Sequence, residues 1–218
     1  AIDITLSATE NLHRIADALE RHINSITVFV LDKPRHKELI AEIRKAGARI
    51  SIHTDGDVVG ALMAAIPGTG VDVLMGIGGT PEGVIAAAAV KALQGGMQAI
   101  MAPQDETERN RISVEMGNQL DQVLTLDNLI KSNDTFFAAT GITDGPFLEG
   151  IHYDRMGGVT THSIVIRALS GSIRYIKGVH QLMPDSNFSH VNVEEAVKIE
   201  EKIKSGNHGK LSGNQRRL

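Results

Sequence analysis

Ile26-Thr27-Val28-Phe29-Val30-Leu31-Asp32-Lys33-Pro34-Arg35-His36 decides the reading of the fold. The run from Ile26 to Leu31 is apolar and rich in β-branched residues, the pattern of a strand buried on both faces. A polar turn follows at once. Pro34 then stands where a helix favours its first residue, and Leu39, Ile40 and Ile43 continue at helical spacing until Gly47. Strand, short polar loop and helix thus follow one another within about twenty residues, the opening of a βα unit.

The same order repeats outward. Upstream, Ser7 and Glu10 form a capping-box pair ahead of the helical run Leu12, Ile15, Ala16 and Leu19. Downstream, Arg49 to His53 reads as a strand and Asp57 to Ala65 as a helix closed by Pro67-Gly68-Thr69-Gly70. Val71 to Met75 is the next strand, Glu82 to Leu93 an Ala-rich helix, and Met97 to Ala102 a further strand. The alternation predicts an α/β fold with a mostly parallel sheet. Asp105 to Met116 and Leu126 to Ile130 read as helices, and Thr135 to Thr140 as a strand. From Val159 to His180 polar and apolar residues alternate around Ser170-Gly171-Ser172, a hairpin signal, so the sheet is expected to become mixed near its C-terminal end. A helix over Val193 to Lys204 and a disordered stretch from Gly206 to Leu218 complete the reading. We divide the chain into an α/β domain over 1–183 and a polar tail over 184–218.

Composition narrows the function classes. The chain has 218 residues, a formal net charge of -4 and 42% hydrophobic residues, ordinary values for a globular domain with a sizeable core. With no Cys, thiol nucleophiles, disulfide scaffolds and Cys-based metal sites are excluded. The mild acidity and the 3% aromatic content argue against a nucleic-acid partner. No apolar stretch reaches the roughly 18 residues of a membrane span, and a cytoplasmic protein is expected.

Three polar segments each follow an expected parallel strand and precede a helix: Lys33-Pro34-Arg35-His36, Asp55-Gly56-Asp57, and Gly76-Ile77-Gly78-Gly79-Thr80-Pro81-Glu82-Gly83. Loops of that kind gather at the carboxyl edge of an α/β sheet, where ligands bind. Lys33 and Arg35 suit phosphate, one as a point charge and the other as a fork of donors, although a solvated basic turn has the same composition. Asp55 and Asp57 can accept from sugar hydroxyls or hold a hard cation, and Asp57 is also placed to cap a helix. The third segment is neither a dinucleotide fingerprint, because Pro81 stands where Gly is needed, nor a P-loop, because Val84-Ile85 replace its Lys and hydroxyl residue. It remains a Gly-rich loop able to approach an anion. Glu82 at the following helix start suits the helix dipole, and it also suits a metal. His162 reads as a structural histidine.

These segments resemble the class II fructose-1,6-bisphosphatase family, which includes a glycerol-operon type and a cyanobacterial fructose/sedoheptulose bisphosphatase. The match rests on Asp32-Lys33-Pro34-Arg35-His36, Asp55-Gly56-Asp57-Val58 and Leu74 to Val84, then on Phe137 to Gly145 and Gly157 to Ser163, and it covers roughly residues 1 to 182. The resemblance implies a fold like that of the lithium-sensitive sugar phosphatases. It implies a metal-dependent enzyme of carbohydrate metabolism that removes the 1-phosphate of fructose 1,6-bisphosphate. By position, Lys33, Pro34, Arg35, Asp55, Gly56, Asp57 and Gly79 match substrate-binding positions, and Glu82 matches a ligand of Mn²⁺ or Mg²⁺. Members of the family are longer, and the resemblance implies that the additional part is N-terminal and carries the remaining metal ligands and the groups that activate water. The expectation is therefore a C-terminal part that is inactive alone, from a protein that forms a homo-oligomer at full length. The alternative is a non-catalytic phosphosugar-binding or regulatory remnant.

Overall fold

In the computed structural model, residues 1–103, 105–116, 120–155 and 157–181 are described. The expected helix over Val193 to Lys204, the stretch from Gly206 and the tail boundary at 184 lie outside these residues. The chain separates into two units, one of Ala1–His152 with Thr160–Val179 and one of Tyr153–Val159 with His180–Leu218.

The first unit is built around β1 (Thr27–Leu31), which pairs in parallel with β2 (Arg49–His53) on one side and β3 (Val73–Leu74) on the other. The order β2-β1-β3 puts the earliest strand in the middle. The chain therefore steps to one side through α2 (Lys37–Ala46) and crosses back over β1 through α3 (Asp57–Ala65).

Burial on both faces of β1 confirms the opening inference. Ile26, Val28 and Val30 are buried with Leu12, Ile15, Ile40 and Ile43 from α1 (Ala8–Ala18) and α2. Phe29 and Leu31 point the other way, into a cluster with Met63 of α3 and Val71. Alternation along a strand makes this division automatic, and each fully buried aliphatic side chain contributes about 1.5–3 kcal/mol.

Local signals set the helix ends. Ser7 and Glu10 form the reciprocal capping box of α1. Gly47, at φ 89°, takes the left-handed position that ends α2, where a side chain would be strained. Pro34 opens a single 3-10 turn, Pro34–His36, that leads into α2. Helix α4 (Thr80–Ala92) begins two residues before the expected start, because a proline is tolerated in a first turn whose N–H groups have no partner inside the helix.

A layer of α3 and α4 covers the second face of the parallel sheet. Gly60 allows the close approach: a Cβ there would lie 2.4 Å from Phe29 Cδ1. Ala86, Ala87, Ala89 and Ala92 line the buried side of α4. Leu62, Ala89 and Ala92 then pack with Phe137, Ile164 and Ile166 from an antiparallel sheet. That sheet is formed by β6 (Phe136–Thr140), with Phe136 to Thr140 opposite Arg167 to Ser163 of β8 (Gly158–Arg167), and by β9 (Ser172–Gln181), which pairs with β8. Gly171, at φ 58°, lies in the turn that the hairpin signal located.

The expected single sheet, parallel and then mixed, differs from the observed arrangement. Parallel pairing is confined to β1–β3. The Met97–Ala102 segment forms only β4 (Gln98–Ala99), which pairs antiparallel with β5 (Leu124–Thr125) in a separate ribbon. Local pattern marks a strand but carries no information about its partner. In sequence, α5 (Glu106–Met116) lies between the two strands of this ribbon and α6 (Leu126–Leu129) follows it, and the short β7 (His152–Tyr153) precedes β8. In the second unit, Asp154 and Gly158 exchange hydrogen bonds: Gly158 N donates to Asp154 Oδ1 at 2.8 Å, and Asp154 N donates to Gly158 O at 2.9 Å. No helix among the described residues is long and apolar enough to cross a membrane.

Candidate phosphate-binding site

The three polar segments meet at the carboxyl edge of the parallel sheet. The loop after β1 starts with a tight turn in which Lys33 N donates to Leu31 O at 2.9 Å. From there the Lys33 side chain reaches the loop after β2, where Nζ donates to Asp55 Oδ1 at 2.9 Å. Asp55 is largely exposed, and an ion pair this open to water is worth roughly 0–1 kcal/mol. Lys33 is thus held near the edge by a contact that an incoming anion can replace at small cost.

Arg35 and His36 turn towards the loop after β3. Arg35 Nε donates to Ile77 O at 2.7 Å. His36 is buried, with Nδ1 2.8 Å from Leu31 O and Nε2 accepting from Ile77 N at 2.8 Å. Gly76 lets the ring approach closely at this point, since a Cβ would lie 3.1 Å from both Cε1 and Nε2. Because β2 and β3 lie on opposite sides of β1, the β1 and β3 loops border the place where the chain reverses its direction across the sheet. Open α/β sheets bind ligands at such switch points.

The two remaining acids line the same Gly-rich loop. A Cβ on Gly78 would lie 2.9 Å from Asp57 Oδ2, and one on Gly79 would lie 2.3 Å from Glu82 Oε2. These glycines leave room for two carboxylates that side chains would displace. Asp57 is not the N-cap that its sequence position suggested. Gly56, at φ 96°, caps α3, and Asp57 is the first helical residue, its Oδ1 accepting from Val58 N at 2.9 Å. The left-handed backbone at Gly56 starts the helix one residue earlier than a capping aspartate would. The cap position of α4 is Gly79, which has no side-chain oxygen to bond the first amides of that helix. Free amides at a helix start favour an anion.

Lys33, Arg35, Asp55, Asp57 and Glu82, together with the backbone of Pro34, Gly56 and Gly79, are therefore drawn together by contacts that link all three loops. His36 is the residue that sequence reasoning passed over. Its only local signal is its place directly after Lys-Pro-Arg, and its partner Ile77 lies 41 residues away.

His162 stands in a different group. Its Nε2 is 3.5 Å from Glu149 Oε2 and its ring meets that of His152 edge-on, at 6.2 Å between centroids. Its Nδ1 is buried without a hydrogen-bond partner among the described residues. His152 Nε2 lies 2.9 Å from Asp144 Oδ1. The Gly150 N–H, ahead of the His152 contact, holds the Asp144 carboxyl below its ordinary value, and burial opposes this.

A family model described as bacterial fructose-1,6-bisphosphatase, glpX-encoded, matches residues 1–180. The chain belongs to that family. Among its relatives, the class 2 fructose-1,6-bisphosphatase of Haemophilus influenzae is 41% identical over 194 residues, covering 83% of this chain and 58% of the relative. The D-fructose 1,6-bisphosphatase class 2/sedoheptulose 1,7-bisphosphatase of Synechocystis sp. is 42% identical over 191 residues, covering 82% of this chain and 55% of the relative. The protein of the same description from Microcystis aeruginosa is 43% identical over 191 residues, with the same coverage. The chain thus spans 55–58% of the length of these relatives. Family membership suggests a divalent cation, but among the described residues no group of three or more His, Asp or Glu could hold a metal ion.

Proposed function

We propose that this chain forms the phosphosugar-binding face of a fructose-1,6-bisphosphate 1-phosphatase. The observation that carries the reading is the convergence of Lys33, Arg35, Asp55, Asp57 and Glu82 around the loop from Gly76 to Gly79. Lys33 and Arg35 bind phosphoryl oxygens, and the α4 amides add donors on the same side. Asp55 and Asp57 accept from sugar hydroxyls, which orients the ring and leaves the phosphate towards the cations. Glu82 supplies one ligand to Mn²⁺ or Mg²⁺. A resemblance to lithium-sensitive sugar phosphatases and a homo-oligomeric full-length form belong to the same proposal.

The donor set does not fit a complete metal centre. Metal-assisted phosphoryl transfer needs a cation held by several oxygen ligands, and Glu82 is one. The same observation favours a second reading, in which the chain binds phosphosugar without turning it over.

Titration calorimetry with fructose 1,6-bisphosphate, run beside a phosphate-release assay with Mn²⁺ or Mg²⁺, tests both parts. Saturable binding with negligible phosphate release is expected from the chain alone. Vigorous release would refute the incomplete metal centre, and absence of binding would refute the phosphosugar face.

A further inference from the structure

We propose that His36 is a positioning residue that sets the geometry of the phosphate-binding loop through the backbone of Ile77. The inference deepens the phosphosugar reading and rests on it for the identity of the ligand. A carbonyl can only accept and a backbone N–H can only donate, so the two partners of the ring fix its state. The proton resides on Nδ1 and is donated to Leu31 O, while the lone pair of Nε2 receives Ile77 N–H. The same Ile77 residue offers its carbonyl to Arg35 Nε at 2.7 Å. His36 therefore anchors one side of Ile77 and Arg35 is aimed by the other. The ring is buried against Gly76, and this contact leaves it little freedom to turn away. Leu31 ends β1, so the clamp ties the Gly-rich loop to the end of the central strand, not to another loop. Binding residues are held more accurately by such an element than by their own loop.

Two substitutions separate the two branches. In His36→Asn the amide nitrogen can take the place of Nδ1 while the acceptor for Ile77 is lost. In His36→Gln the amide oxygen can take the place of Nε2 while the Leu31 bond is lost. His36→Asn is expected to weaken fructose 1,6-bisphosphate binding about tenfold and to speed hydrogen exchange of the Ile77 amide. His36→Gln is expected to stay within about threefold of the parent chain in both. Equal losses in the two variants would reduce His36 to a packing residue and overturn the proposal. The ring tautomer of the unaltered chain, read from its ¹⁵N resonances, is independent of variant folding and of ligand. An Nδ1-protonated ring is expected, and an Nε2-protonated ring would overturn the clamp. If the unaltered chain binds no bisphosphate, the phosphosugar reading falls, and the tautomer and the Ile77 exchange still decide the role of His36.

Discussion

At the scale of single residues, the candidate site is a set of weak tethers. Among the described residues Arg35 makes one hydrogen bond, through Nε to Ile77 O, which leaves its terminal nitrogens donor capacity. Arg35→Ala is expected to lower fructose 1,6-bisphosphate affinity by about 1.5–3 kcal/mol, the usual range for a hydrogen bond to a charged group, while the urea midpoint of unfolding stays close to that of the parent. Calorimetry and urea titration of the same sample check both halves. Away from the site, Asp144 gives a pH signature. Its carboxyl is held below the ordinary 3.8, first by the Gly150 N–H, with the His152 contact adding to it against the opposing effect of burial. The unfolded chain takes up this proton at a higher pH than the folded chain does. Asp144 therefore stabilises the fold above the ordinary value, and that contribution is lost as pH falls through the lower, folded one. Urea midpoints measured across this acid range should fall less steeply for Asp144→Asn than for the parent, and parallel curves would remove the linkage.

At the scale of elements, close packing of α3 against β1 decides where the loops emerge. Gly60 lies where a Cβ would come within 2.4 Å of the Phe29 ring, which also stacks on His53 at 4.2 Å between centroids. The ring is thus held from two sides. Gly60→Ala is expected to destabilise by roughly 1–3 kcal/mol through overpacking, despite the better helix propensity of alanine. A thermal or urea melt checks the sign, since an increase in stability would mean that the helix simply moves outward. The elements were mostly legible in the sequence. Arg49–His53 and Asp57–Ala65 have the bounds that periodicity gives them, because the local patterns of strand and helix were unambiguous there. Val71 to Met75 shortened to Val73–Leu74, because only these two residues pair with β1, opposite Val28 and Phe29, and pairing is not a local property.

At the scale of the molecule, the first unit stacks α1 and α2, the parallel sheet, α3 and α4, and the antiparallel sheet in succession. Ile166 is fully buried where β8 meets the α3–α4 layer. Ile166→Ala should cost about 2–5 kcal/mol through lost burial and the cavity left behind. Denaturant unfolding followed both by circular dichroism and by hydrogen exchange in α3 checks this. A loss confined to β6 and β8, with α3 unaffected, would show that the antiparallel layer folds separately.

The sequence by itself determined the βα alternation, the two-sided burial of β1, the helix start at Ser7, the turn that Pro34 opens ahead of α2, and the family to which the loops belong. These are short-range properties, set by side-chain period, capping chemistry and residue type along a few turns of chain. Tertiary structure alone decided that Asp57 faces Gly78 and does not cap its helix, that the later strands form sheets of their own, and that His36 grips Ile77. The left-handed backbone at Gly56 moves the cap off Asp57, whereas the later sheets and the His36 contact are made by packing between residues distant in sequence, which no local pattern encodes.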